Sequence, residues 1–300
     1  MAANAASAQS EAYLDLLIGC LSRTVIPEYY EPFRAPTNSI YRWLYSCIPI
    51  RRLLQIKGLE LVRRYTMEPN RRLIGKDWPP DAETMIGLKR LENLRQCVRM
   101  VIQNDIPGDF IETGVWRGGA CILMRAALSA YGDNSRCVWV ADSFEGLPKP
   151  NAEKYAIDLG DRHWTLNYYL AVSLDEVQGN FARYRLLDDR VKFLKGWFRD
   201  TLPSAPIEKL AILRLDGDMY ESTIQALDAT YWKLSPGGFI IIDDYILSNC
   251  RQAVDDFRTR HHIRSHIEEV DGAAVYWQKL ANERPVSLPM MANEGPRRTL

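Results

Sequence analysis

From residue 81 onward, two apolar spacings alternate along the chain. Met85, Leu88, Leu91, Leu94, Val98 and Val101 recur every three or four residues, which predicts an amphipathic helix over 84–103. Short continuous apolar runs follow: Phe110-Ile111, Val138-Trp139-Val140-Ala141, Val191-Lys192-Phe193-Leu194, residues 210–215, and a run opened by Gly237-Gly238. Runs this short, bounded by polar residues or glycine, read as buried strands. Between them, helices are predicted from about Gly119, over 173–184, over 222–234 and over 252–262. Strands alternating with helices form a parallel sheet with helices on both faces. The last two runs, 263–270 and 273–277, flank Asp271-Gly272. So short a link cannot make a parallel crossover, so this pair is antiparallel. The expectation is an α/β fold with a mostly parallel seven-stranded sheet and a terminal antiparallel pair.

Residues 1–80 lack this rhythm. Tyr13, Leu14, Leu16, Leu17, Ile18 and Leu21 predict one amphipathic helix. Pro27, Pro32 and Pro36 mark 25–38 as loop. Residues 40–64 predict a second helical region, kinked at Pro49 and rich in Tyr41, Trp43, Tyr45, Arg51, Arg52, Arg63 and Arg64. A basic, aromatic helix can lie on a membrane surface. Packing on the main domain, as a lid or an oligomer contact, is the simpler expectation. Trp78-Pro79-Pro80 closes the region. The expected organisation is a helical lid over 1–80, a main domain over 81–285 and a tail over 286–300. The apolar face of the first helix offers a homodimer contact.

Composition narrows the function classes. Lys+Arg 38 equals Asp+Glu 38, so the basic surplus wanted by a nucleic-acid partner is missing. Cys20, Cys47, Cys97, Cys121, Cys137 and Cys250 are scattered, with no C-x-x-C pair to suggest zinc or a disulfide framework. Cys121 and Cys137 sit among apolar residues and read as small hydrophobes. No apolar run approaches ~20 residues, and the first ten residues carry no apolar core behind a basic start. A cytoplasmic protein without a membrane span is expected.

The candidate chemistry lies at strand ends. Leu213-Arg214-Leu215 runs into Asp216-Gly217-Asp218, and the next strand runs into Asp243-Asp244-Tyr245. Neighbouring parallel strands would deliver these acids to one edge of the sheet, where such folds bind ligands. Converging carboxylates suit a hard cation. Upstream, Phe110-Ile111-Glu112 leads into a turn with Gly114, Gly118 and Gly119, and the following strand ends in Asp142. An acid there can hold a ribose diol. A dinucleotide site would prefer G-x-G-x-x-G, and this chain has G-x-x-x-G-G. The charge of Glu112 favours a cationic ligand such as S-adenosylmethionine over a pyrophosphate. His262 and His266 are four apart, but no Glu follows His262, which argues against a zinc helix. His163 lies in a polar insertion after Pro150 and reads as an exposed loop histidine before a substrate contact.

At this point the chain resembles the macrocin O-methyltransferase family (TylF type) of class I S-adenosylmethionine enzymes. The resemblance is carried by Tyr13-Leu-Asp-Leu-Leu17, Arg64-Tyr-Thr-Met67, Ile106-Pro-Gly-Asp-Phe-Ile-Glu-Thr-Gly-Val-Trp-Arg-Gly-Gly119, Asp142-Ser-Phe-Glu-Gly-Leu-Pro148, Leu194-Lys-Gly-Trp-Phe198, Leu213-Arg-Leu-Asp-Gly-Asp-Met-Tyr-Glu-Ser-Thr223 and Ile242-Asp-Asp-Tyr245. The departure is the stretch 25–64, longer and more basic than the family leads one to expect. The resemblance implies a Rossmann-like class I methyltransferase fold and Mg2+-dependent methylation of a hydroxyl on a glycoside in antibiotic biosynthesis. It implies that Tyr65, Met67, Glu112, Thr113, Gly114, Val115, Trp116, Asp142, Ser143, Phe144, Gly146 and Trp197 surround S-adenosylmethionine. It also implies that Asp216, Asp243 and Asp244 bind the metal. Asp216 and Asp218 are the candidate general bases, with Asp216 slightly ahead. The competing readings are a nicotinamide-dependent oxidoreductase and a non-catalytic binding domain. Three converging acids argue against the latter.

Overall fold

The computed structural model describes residues 7–32, 54 and 56–285. Its main sheet has seven strands: β3 (Asp109–Thr113), β4 (Val138–Asp142), β5 (Val191–Lys195), β6 (Leu210–Leu215), β7 (Leu234–Ile242), β8 (Glu268–Glu269) and β9 (Val275–Gln278). Two earlier strands, β1 (Glu28–Pro32) and β2 (Val62–Thr66), form a separate antiparallel pair. The main order is β5-β4-β3-β6-β7-β9-β8. β3 pairs in parallel with both β4 and β6, and β7 pairs antiparallel with β9. The chain builds outward from β3 to β5, then returns to place β6 on the other side. That reversal opens a crevice at the carboxyl ends of β3 and β6.

The core follows from alternation along the strands. Phe110, Val138 and Val140 face one apolar cluster, and Ile111, Trp139 and Ala141 face the other. The first cluster is closed by helices α1 (Ala8–Leu21), α2 (Leu88–Gln103), α3 (Gly119–Ala130) and α4 (Leu174–Arg183). The second is closed by α5 (Tyr220–Thr230) and α6 (Ser248–Arg260). The expected class I methyltransferase sheet is therefore present, covered on both faces. Among the described residues, no helix is long and apolar enough to cross a membrane.

Several boundaries differ from expectation for local reasons. The helix expected over 84–103 starts at Leu88. Arg72 holds residues 85–86 extended, its Nη2 donating to the carbonyls of Met85 (2.9 Å) and Ile86. Gly87 then packs so tightly that a Cβ would lie 2.5 Å from Gly75 N. The fifth strand begins at Leu234, before the glycine pair, and the helix preceding it ends at Thr230. α6 starts at Ser248 rather than 252. The strand expected over 263–270 shrinks to Glu268–Glu269.

The N-terminal region departs most. Much of the expected helical lid lies outside the described residues, and the described part mixes helix and strand. Glu28–Pro32, read as loop, and Val62–Thr66, read partly as helix, pair as strands. Tyr29 stacks on Tyr65 at 5.3 Å. Most of the predicted helix over 40–64 lies outside the described residues. α1 forms as predicted and buries Leu14, Leu17, Ile18 and Leu21 in the same cluster as Leu91 and Leu94.

Candidate active site

A cleft of about 740 Å³ opens at the carboxyl ends of the parallel strands. That size suits a small-molecule site. One wall is the turn after β3. Gly114 has φ +86, and a Cβ there would sit 1.7 Å from the backbone oxygen of Asp216. No L side chain fits that contact. Trp116, Phe144 and Asp218, all non-glycine, also take positive φ around the cleft. Such strained backbone is uncommon and collects where a site must be held in one shape.

We expect Gly114→Ala to force the ends of β3 and β6 apart. It should give little folded protein, or folded protein with turnover reduced by roughly 100-fold, the usual effect of a 1 Å misplacement. Circular dichroism and a methyl-transfer assay check this. A folded, fully active variant would falsify the contact.

Asp142 ends β4 inside this wall. Its Oδ2 accepts from Val115 N at 2.7 Å, and its Oδ1 accepts from Phe144 N at 2.7 Å. Burial raises its pKa, and these backbone N–H groups pull it back. The acid thus ties the two turns of the wall together. Ser143 and Gly146 continue the same wall, with Ser143 Oγ donating to Gly146 O at 2.8 Å.

The adjoining wall carries the acids. Asp216 follows β6 and Asp243 follows β7, which are paired in register at Leu215 and Ile242. One carboxylate oxygen each from Asp216, Asp243 and Asp244 lie within 4.8 Å of one another. Asp218 N donates to Asp244 Oδ2 at 3.1 Å, joining the loop after β6 to the acids after β7.

Two arginines compensate this charge. Arg214, buried in β6, donates to Glu112, to Asp216 (2.8 Å) and to Asp243. Burial would lower its pKa, but Asp243, Glu112 and Asp216 outweigh it and raise it. Arg90 of α2 donates to Asp243 and, at 2.7 Å, to Asp271. The carboxylates still outnumber the guanidiniums. Burial pushes Asp218 up to about 7, with Asp216 adding to the rise. Asp244 is raised through burial and repulsion from Asp218, Asp216 and Asp243. A buried excess of negative charge with converging oxygens is the donor set of a hard divalent cation, so these residues fit one.

The cleft brings together Glu112, Gly114, Val115, Trp116, Asp142, Ser143, Gly146, Trp197, Asp216, Asp218, Asp243 and Asp244. Thr113 and Phe144 belong to the same turns but are buried behind the surface. Tyr65, on β2, and the buried Met67 lie outside the lining. Glu112 is not a free carboxylate: it holds Arg214 and accepts from Cys121 Sγ at 2.8 Å. His163, expected foremost as an exposed loop residue, lines the cleft. His266 is exposed and pairs with Glu268 at 3.6 Å, apart from the acid cluster. Sequence reading missed Arg214 and Arg90. The signal for the first was a lone arginine inside the apolar run of a central strand.

A doubly covered sheet of this order, with an acid after its second parallel strand and a ligand cleft at its switch point, defines a class I S-adenosylmethionine-dependent methyltransferase. The solved structure of the O-methyltransferase NovP superimposes with a TM-score of 0.75 and 46% identity, covering 90% of this chain and 99% of that one. Demethyldecarbamoylnovobiocin O-methyltransferase of Streptomyces niveus is 47% identical over 91% of this chain and 95% of its own length. An 8-demethyl-8-(2,3-dimethoxy-alpha-L-rhamnosyl)-tetracenomycin-C 4'-O-methyltransferase of Streptomyces olivaceus is 55% identical over 72% of this chain and 84% of its own. Residues 10–279 match the macrocin-O-methyltransferase (TylF) family, and the chain belongs to it. It is therefore an O-methyltransferase, and the nicotinamide-dependent oxidoreductase reading falls away.

Proposed function

We propose that the protein methylates a hydroxyl of a glycosylated natural product, in a reaction dependent on Mg2+ held by Asp216, Asp243 and Asp244. The observation that carries this reading is the placement of three convergent carboxylates across one cleft from the Asp142 turn. The relatives' names add the acceptor class: a rhamnosyl-tetracenomycin, demethyldecarbamoylnovobiocin and, for a Micromonospora griseorubida relative that is 51% identical over 69% of this chain and 82% of its own length, mycinamicin III.

S-adenosylmethionine brings an already activated methyl group, and a divalent cation would make a nearby hydroxyl more acidic. The chain's own residues supply the rest. Asp142, Ser143 and the Gly114 turn fix the donor side. Arg214 and Arg90 hold Asp216 and Asp243 in place before any ligand arrives, so no reorganisation is needed during reaction. Asp218 is the better general base of the two candidates. Burial and Asp243 raise Asp216, but it accepts from Arg214 at 2.8 Å, which holds one of its oxygens. Asp218 has no arginine hydrogen-bonded to its carboxylate among the described residues, and burial, with Asp216 adding, pushes it up to about 7. We therefore rank Asp218 ahead of Asp216, the reverse of the order read from the sequence.

Incubation of candidate glycosides with S-adenosylmethionine and magnesium, followed by mass spectrometry, should show the gain of one methyl group. Excess chelator should remove activity and added magnesium should restore it. Asp244→Asn, which disturbs no arginine pair, should mimic chelation while leaving S-adenosylmethionine binding intact. Full turnover in chelator would sink the metal assignment and leave the methyl transfer standing.

A further inference from the structure

The insertion after β4 carries a histidine–carboxylate pair that the mechanism above does not use. His163 donates from Nδ1 to both oxygens of Asp161, at 3.0 Å each. Asp161 Oδ1 also accepts from His163 N at 2.8 Å, and Oδ2 from Asn249 Nδ2 at 3.0 Å. The Asp161 side chain is only 6% exposed, while that of His163 is 39% exposed. The carboxylate is therefore fully engaged and the imidazole looks out into the cleft.

An ionised carboxylate only accepts, so the shared proton belongs to Nδ1. In the neutral imidazole this pairing fixes the tautomer and leaves the lone pair on Nε2. The pair is placed on the acid side of the cleft. Asp158, three residues earlier, accepts from Tyr220 N and Glu221 N at 2.9 Å each, capping α5 after β6. Asn249, which holds both Asp158 and Asp161, belongs to α6 after β7.

We propose that His163 is a specificity-determining residue for the acceptor: its Nε2 accepts a hydrogen bond from a sugar hydroxyl of the bound glycoside, and Asp161 and Asn249 are positioning residues that keep Nε2 in the accepting form. This rests on the reading of the acceptor as a glycoside bound beside Asp218. A site built to hydrogen-bond a substrate hydroxyl discriminates against analogues lacking that hydroxyl.

The test is steady-state kinetics on demethyldecarbamoylnovobiocin, mycinamicin III and the rhamnosyl tetracenomycin acceptor. His163→Ala should raise the acceptor KM by roughly tenfold, the value of one such hydrogen bond. Its S-adenosylmethionine Kd and Tm should stay unchanged. His163→Gln, whose amide oxygen can accept in place of Nε2, should recover most of the loss. Asp161→Asn frees the ring to take the other tautomer and should raise the acceptor KM without touching the cofactor Kd. An active wild type whose acceptor KM is unchanged by His163→Ala overturns the assignment alone. A parallel loss of acceptor and cofactor affinity overturns it too, because that marks a structural role. A wild type that methylates none of the three glycosides overturns the parent reading and this one with it.

Discussion

Asp218→Asn is expected to lower turnover by roughly 10²–10⁴-fold, the range associated with removing a general base. The substitution is nearly isosteric. It keeps the backbone N–H that Asp218 donates to Asp244 Oδ2 at 3.1 Å, so the loop should stay in place. S-adenosylmethionine affinity, measured by calorimetry, should not change. Single-turnover kinetics should place the loss in the chemical step. Asp216→Asn should behave differently. It removes a partner from Arg214 and one corner of the acid cluster, so it should lose metal affinity and stability along with turnover. If Asp218→Asn kept more than a tenth of its activity while Asp216→Asn lost all of it, the base would have to be reassigned to Asp216.

Arg214→Met should destabilise the fold by about 3–5 kcal/mol, the usual consequence of removing one partner from a buried ion cluster. For a chain of this size that corresponds to a Tm lower by on the order of 10 °C. The guanidinium sits in a central strand at 1% exposure and holds Glu112, Asp216 and Asp243 at once. Without it, three carboxylates would face one another with Arg90 as the nearer remaining cation. Arg214→Lys should be only a partial rescue, because a point charge cannot meet three carboxylates in a fixed fork. Differential scanning calorimetry of both variants checks this. A methionine variant as stable as the parent would mean that the acids relax or protonate at little cost.

The parts of the molecule that sequence made legible are those where a local pattern and the global fold agree. Four of the five parallel strands were short apolar runs leading into an acid that lines the cleft, as with Ile111-Glu112, Ala141-Asp142, Leu215-Asp216 and Ile242-Asp243. The start of α4 was readable and coincides with a cap: Ser173 accepts from Glu176 N at 3.2 Å. The N-terminal region was not legible, because β1 and β2 pair across about thirty residues of intervening chain, with Glu28 opposite Thr66. Their exposed side chains leave no alternation to read, and proline suggested only a loop. The start of α2 was hidden for a similar reason: Met85 keeps the helical stripe, yet Arg72 captures its carbonyl from outside the segment. At the site, the residue types were readable but their occupancy was not. Glu112 looked like a ligand for a cation and already has one in Arg214.

The contact of Gly114 with the Asp216 carbonyl has a consequence for acceptor range. It works as a gauge block between donor and acceptor walls, with a thickness of one absent methyl group. The spacing between the two strand ends is then a property of the sheet, whatever occupies the cleft. Loops such as the insertion carrying His163 can change the lining of the cleft without altering that spacing. Engineering toward a new acceptor therefore belongs in the insertion and should leave the β3 turn alone.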